Sequence, residues 1–174
     1  MKRLLRNVLL VSLIVPLFAC AAQLNFSGRQ AVPEKPSGAL RVATLNVHYI
    51  VLARAVGPWS VSDWERRKAP MDAAVKAVDA DVLALQEAES FGGGSVPTQN
   101  LTLDYLLAQN PGLEAAAVGE PSAFPITQPI LYRSDRLAVA DQGWFFFSDT
   151  PDAIYSRTFN GSWPAFATWA QFRD

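Results

Sequence analysis

Apolar residues in this chain fall into short blocks whose spacing changes along the sequence. Leu40-Arg41-Val42-Ala43-Thr44-Leu45-Asn46-Val47 mixes apolar and β-branched positions after Pro and Gly signals, and predicts a strand. Ser62-Asp63-Trp64-Glu65 follows with the spacing of a capping box. Met71, Ala74, Val75 and Val78 then fall at i, i+3, i+4 and i+7, the period of a helix. Pro70 conflicts with one unbroken helix, because an interior proline removes a hydrogen bond and crowds the preceding turn. The pattern therefore predicts a main helix starting near Ala69, with Pro70 in its first turn, or a helix kinked there. Asp79-Ala80-Asp81 ends it.

Val82-Leu83-Ala84-Leu85-Gln86 is a short apolar run that reads as a buried strand, with Glu87 at its C-terminal end. Gly92 to Gly94 mark a loop, and Leu101 to Gln109 predicts a second helix stopped by Asn110-Pro111. Further strands are expected at Glu114–Val118, Pro129–Arg133 and Leu137–Phe147, with Ser134-Asp135 turning between the last two. A loop with Pro151 and Gly161 follows, and Phe166 to Phe172 predicts a last strand. Strand, helix, strand, helix and then several strands make an α/β (α+β) layout.

The N-terminus has a different pattern. Lys2, Arg3 and Arg6 precede an almost continuous apolar run from Asn7 to Ala19. That run is shorter than the roughly 20 residues of a membrane-spanning helix and has the proportions of a signal-peptide core. It ends Leu17-Phe18-Ala19-Cys20, and Cys20 is the only cysteine. This stretch resembles the lipobox of bacterial lipoproteins, which implies residues 1–19 as signal peptide and Cys20 as the lipidated residue. An ordinary signal peptide cut beside Ala19-Cys20-Ala21 is the alternative. Ala21 and Ala22 after the cysteine, with no aspartate, favour by resemblance a lipid anchor on the periplasmic side of the outer membrane of a bacterial envelope. Residues 20–38, with Gly28, Pro33, Pro36 and Gly38, then read as the lipidated cysteine and a tether, and residues 39–174 as the folded part.

Composition changes this picture little. The chain has 174 residues, half of them hydrophobic, enough for one domain with a core. Internal repeats and a disulfide framework are absent from the sequence. The formal net charge is −1, and without the three basic residues of the leader the remainder carries −4. A mildly acidic body argues against non-specific coating of nucleic acid, and leaves open an enzyme whose site is made locally positive by a bound cation.

Two polar positions stand out on physical grounds. Asn46 is an amide inside an apolar strand, and Glu87 is a carboxylate ending another. The helix between them makes a strand–helix–strand unit, which sets the strands side by side and parallel. Both groups then emerge near the same strand ends, where open α/β sheets place ligands. A carboxylate with an amide oxygen suits a hard cation such as Mg²⁺. The plainer alternatives are a backbone-bonded amide and a capping or surface acid.

Ala43-Thr44-Leu45-Asn46-Val47-His48 resembles the opening strand motif of the endonuclease/exonuclease/phosphatase superfamily, and Asp81-Val82-Leu83-Ala84-Leu85-Gln86-Glu87 resembles its second motif. Trp64 and Arg67 sit between them in the expected order. Ile130-Leu131-Tyr132-Arg133, Phe147-Ser148-Asp149-Thr150-Pro151, Ser162-Trp163 and Thr168-Trp169-Ala170-Gln171-Phe172 are similar to later stretches of the family. The resemblance implies a DNase I-like four-layer αββα sandwich, of which this chain covers roughly the N-terminal half, one sheet and its helices. It implies Glu87 as a ligand of Mg²⁺ (or Mn²⁺) and Asn46 as a group positioning the metal or the phosphate. The substrate class it implies is a phosphoester, from nucleic acid or a phospholipid headgroup. His48 either touches a phosphate near Asn46 or is a strand-end residue without a chemical task.

The family's histidine-bearing motifs and its Gly-Asp-Phe-Asn loop have no counterpart in this sequence, so they are expected beyond Asp174 and hydrolysis by this chain alone is not expected. A lipid-anchored binding or scaffold protein that keeps the fold is the alternative function. With one sheet left uncovered, Trp144-Phe145-Phe146-Phe147 is expected on an exposed apolar face that favours self-association.

Overall fold

The computed structural model describes residues 31–91, 99–159 and 163–174. The chain divides into residues 1–34 and residues 35–174, and the fold described is that of the second unit. The expected leader, Cys20, most of the expected tether, Gly92 to Gly94, Gly161 and Ser162 lie outside the described residues.

Four strands build the main sheet: β1 (Val42–Asn46), β3 (Val82–Gln86), β5 (Leu113–Ala116) and β6 (Ile130–Arg133), in the order β1-β3-β6-β5. Strands β1 and β3 run parallel, with Val42 opposite Val82 and Asn46 opposite Gln86. The parallel pairing follows from the crossover helix α1 (Val61–Val78) between them. Strand β6 pairs antiparallel with both β3 and β5. A small parallel pair, β2 (Ile50–Val51) with β4 (Ser90–Phe91), extends the chain beyond the ends of β1 and β3. It is absent from the expectations drawn from sequence, being too short to show a period.

The alternation of side chains along β3 separates two cores. Leu83 and Leu85 point to one face, where they pack with Val75 and Met71 of α1, Leu106 of α2 (Leu101–Gln109) and Leu131 of β6. Val82 and Ala84 point to the other, where Ile130, Tyr132 and Leu137 meet Val139, Ala170 and Phe172. Leu85, Leu106 and Leu131 are fully buried, and each contributes about 2 kcal/mol of transfer free energy.

The second face is covered by a hairpin of its own, β7 (Ala138–Phe146) with β8 (Phe166–Arg173), antiparallel and separate from the main sheet. The Tyr132 and Phe172 rings lie 5.1 Å apart across this contact. The expectation of one sheet and its helices is therefore corrected, because a second β-layer is already present. The register shift between Val139 and Asp141 sets which side chains face inward along the rest of β7. As a result the 144–147 run alternates. Phe146 is buried, whereas Phe145 and Phe147 are exposed on the outer side beside Trp169.

Helix α1 differs from its expected form. Its N-cap is Ser60, whose side chain accepts from the Asp63 amide at 3.1 Å, so the Ser62–Glu65 box is not the cap. Of the two spans expected, a start near Ala69 is overturned, and the helix starts at Val61 and runs through Pro70. Pro70 is exposed, and buried Trp64 before it and Val75 after it anchor both halves against the protein. Packing of this kind outweighs a proline cost of about 3 kcal/mol. Asp79, left-handed at φ 49°, caps the C-terminus as the sequence suggested. Helix α2 keeps the expected bounds, with Asn100 as N-cap.

Candidate functional site

The parallel register brings Asn46 and Glu87 to the same strand ends. Asn46 closes β1 opposite Gln86, and Glu87 is the next residue along β3. The Val47 amide donates to the Gln86 carbonyl at 2.9 Å, and the Ile50 amide to the Glu89 carbonyl at 2.8 Å. Segments 46–50 and 86–89 are thus stitched together just past the sheet. Asn46 faces the side opposite the helices, as do Thr44 and Gln86, whose side chains bond each other at 2.8 Å. Gln86 also donates to the Ala84 carbonyl at 3.2 Å. The glutamine of the Gln-Glu pair is thereby held as part of the sheet.

Asn46 is exposed, and its Oδ1 accepts the His48 amide at 2.9 Å. A carbonyl oxygen has a second lone pair, so the amide can still meet a cation through oxygen or a phosphate through its NH₂. Glu87 is half-buried, and among the described residues no hydrogen bond or ion pair reaches its carboxylate. Its backbone is left-handed at φ 57°. A non-glycine residue there costs about 1 kcal/mol and persists only when the surroundings fix it. The Ala88 amide bonds the Thr127 carbonyl at 2.9 Å and the Glu89 amide bonds the Glu87 carbonyl at 2.8 Å, which supplies that fixing.

Glu89 was not singled out from sequence. Burial, and then the neighbouring charge of Glu87, push its carboxyl above the ordinary value. The Glu89 charge in turn adds to the burial that raises the Tyr155 hydroxyl. Two carboxylates therefore share this corner, and a cation would relieve their repulsion. Among the described residues no group of three His, Cys, Asp or Glu forms a metal cage. The donor set fits a hard ion that keeps most of its own waters and takes one or two protein oxygens, as Mg²⁺ does.

His48 is also left-handed, at φ 61°, and half-buried. Its ring lies 5.8 Å from Tyr49 and 5.9 Å from Trp59, and the Tyr49 and Trp59 planes differ by 3°. Arg54 stands over the Trp59 ring at 5.4 Å. His48 and Tyr49 lie in the loop directly after Asn46, while Trp59 lies beyond β2, just before the N-cap Ser60.

The other carboxylate of the second motif behaves differently. Asp81 is buried and accepts the Arg41 amide and the Lys35 ammonium, each at 2.7 Å, with Arg136 at 3.8 Å. Burial alone would raise its pKa, and these donors together bring it below the ordinary value. Asp81 fastens the start of β3 to the chain entering β1. A concavity of about 300 Å³ near that end, lined by Lys76, Asp79, Asn110 and Arg133 among others, includes neither Asn46 nor Glu87.

No family model and no curated protein sequence matches the chain. Solved structures do. An endonuclease/exonuclease/phosphatase from Bacteroides vulgatus superposes with a TM-score of 0.59 at 23% identity, over 78% of this chain and 47% of that one. A mannosyl-6-phosphatase from Bacteroides thetaiotaomicron gives 0.58 at 24% identity, over 78% and 46%. A protein of unknown function from Enterococcus faecalis gives 0.54 at 21% identity, over 77% and 47%. This chain therefore shares the fold of the endonuclease/exonuclease/phosphatase proteins, and spans about half the length of the structures it matches.

Proposed function

We propose that this chain supplies the metal side of a Mg²⁺-dependent phosphoester hydrolase site. One observation carries the reading: Glu87, with no partner for its carboxylate among the described residues, ends β3 beside Asn46 in a fold shared with named phosphatases. Glu87 would hold the ion, Mg²⁺ or Mn²⁺, and Asn46 would orient the ion or a phosphoryl oxygen. A bound divalent cation would stabilise the charge of the phosphoryl group. The chain matches less than half the length of the solved structures, so hydrolysis is proposed for the complete fold and metal binding for this chain.

Titration of the ¹⁵N-labelled protein with Mn²⁺ tests this. Paramagnetic broadening should centre on the Asn46 and Glu87 signals and vanish in Glu87→Ala. Broadening that survives that substitution would remove Glu87 from the role.

A small phosphate ester is the favoured substrate class, since a neighbour of this fold is named for a sugar phosphate and the body is mildly acidic. Nucleic acid and phospholipid headgroups are the competing phosphoesters. Lipidation at Cys20, and with it a place on the outer membrane of a bacterial envelope, belongs to the same proposal and rests on the Leu17-Phe18-Ala19-Cys20 sequence. Mass spectrometry of the exported protein would show acyl chains on Cys20, and an unmodified mature cysteine would reject the anchor.

A further inference from the structure

We infer that Arg67 is the positioning residue of this site and acts on Asn46 through the loop that follows it; this rests on the reading of Asn46 as a metal- or phosphate-side group. Arg67 lies on α1, away from the strand ends in sequence. Its guanidinium donates to three successive carbonyls: Val47 through Nη1, His48 through Nη2 at 2.6 Å and Tyr49 through Nη2 at 3.4 Å. Three consecutive carbonyls gathered on one cation cannot belong to an extended strand, where successive carbonyls point to opposite sides. Their convergence is the local form of a chain turned through the left-handed His48.

The Val47 carbonyl and the His48 amide belong to one peptide plane, so holding that carbonyl aims the His48 N–H at Asn46 Oδ1, 2.9 Å away. The path is short: guanidinium, carbonyls, the His48 backbone, the Asn46 amide. The guanidinium is itself held from behind. Asp63, one helical turn earlier, accepts from its Nε at 3.2 Å, and the Trp64 ring lies 5.3 Å beneath it. Burial lowers the Arg67 pKa while Asp63 raises it, so the cation is half withdrawn from water. A planar fork with five donors can serve three carbonyls and a carboxylate at once, and an ammonium cannot.

The test compares Arg67→Lys, Arg67→Ala and, as a control for destabilisation alone, Leu106→Ala in the core. The readout is hydrogen exchange of the His48 amide relative to the Leu85 amide, which bonds the Pro129 carbonyl inside the sheet. We expect His48 exchange to rise about tenfold or more relative to Leu85 in both Arg67 variants. In Leu106→Ala the ratio should stay at the wild-type value although the melting temperature falls. A wild-type ratio in Arg67→Lys, or an equal change in Leu106→Ala, overturns the inference.

Mn²⁺ affinity is the second readout, expected to weaken several-fold in Arg67→Lys. Absence of Glu87-dependent Mn²⁺ binding in the wild type would defeat the proposed function, while the exchange ratio would still decide whether Arg67 sets Asn46.

Discussion

The two ends of one parallel strand pair hold carboxylates with opposite fates. At the entry to β3, Asp81 is buried and its oxygens are taken up by Arg41, Lys35 and Arg136. At the exit, five strand residues later, Glu87 is half-buried, left-handed and without a side-chain partner among the described residues. The same short motif thus carries one acid spent on holding the sheet and one kept available. Identity and motif position do not separate the two roles; the count of donors around each oxygen does.

The largest expected effect breaks the entry end. Asp81→Ala leaves the partly exposed Lys35 and Arg136 and the Arg41 amide without their buried acceptor, and should cost about 2 kcal/mol, read as a lowered denaturation midpoint in urea. Glu87→Ala should change stability by less than about 1 kcal/mol while abolishing Mn²⁺ broadening at Asn46. Equal losses of stability in the two variants would erase the contrast.

Glu87→Gly is the next step down. Glycine accepts φ 57° without strain, so this variant should melt no lower than Glu87→Ala, with a difference of about 1 kcal/mol in its favour. A more stable alanine variant would mean that the left-handed backbone costs nothing there.

Acid distinguishes the ends in a gentler way. Folding lowers the Asp81 pKa, so its contribution is complete above the ordinary carboxylate value of about 4 and is lost as pH falls through the folded value. Asp81→Asn should flatten the loss of stability below about pH 4. Glu89 has the opposite sign: its carboxyl is raised by burial and by Glu87, so the folded state gains relative stability as it takes up its proton. In Glu87→Ala the Glu89 carboxyl signal should titrate lower than in the wild type.

The smallest effect concerns the outer face of the hairpin, where Phe145, Phe147 and Trp169 meet water. Self-association through it is expected, and Phe147→Lys should reduce the sedimentation-detected oligomer without altering the Mn²⁺ response.

Much of the layout was legible in the sequence, for physical reasons that differ by element. Helix α2 has a clear stop at Asn110-Pro111, and its expected bounds hold. Strands β1 and β3 announce themselves by composition, and their helical crossover forces the parallel register that sets Asn46 near Glu87. Pro70 left two placements of α1 open, a start near Ala69 or a helix through the proline, because local propensity cannot weigh the burial of Trp64 on one side of it and Val75 on the other. Strand β5 lies slightly earlier than expected, at Leu113–Ala116, since Ala117 turns left-handed. Glu89 and the role of Arg67 stayed hidden. Both depend on what the loops at the strand ends bring near, which no periodicity encodes. The Asp63-Trp64-Arg67 spacing, with an acid and an aromatic one turn before an arginine, was the one available sign.

Pro70 has a consequence of its own. With no amide hydrogen to give, it leaves the Arg66 carbonyl unmatched within the helix, one residue from Arg67. The hydrogen-bond ladder of α1 is therefore interrupted between its two halves. Its front half, from Ser60 to Arg67, grips the loops, while its rear half, from Met71 to Val78, lies on the sheet. A sequence change in front of Pro70 therefore acts first on the loops that carry Asn46, and one behind it acts first on the sheet core.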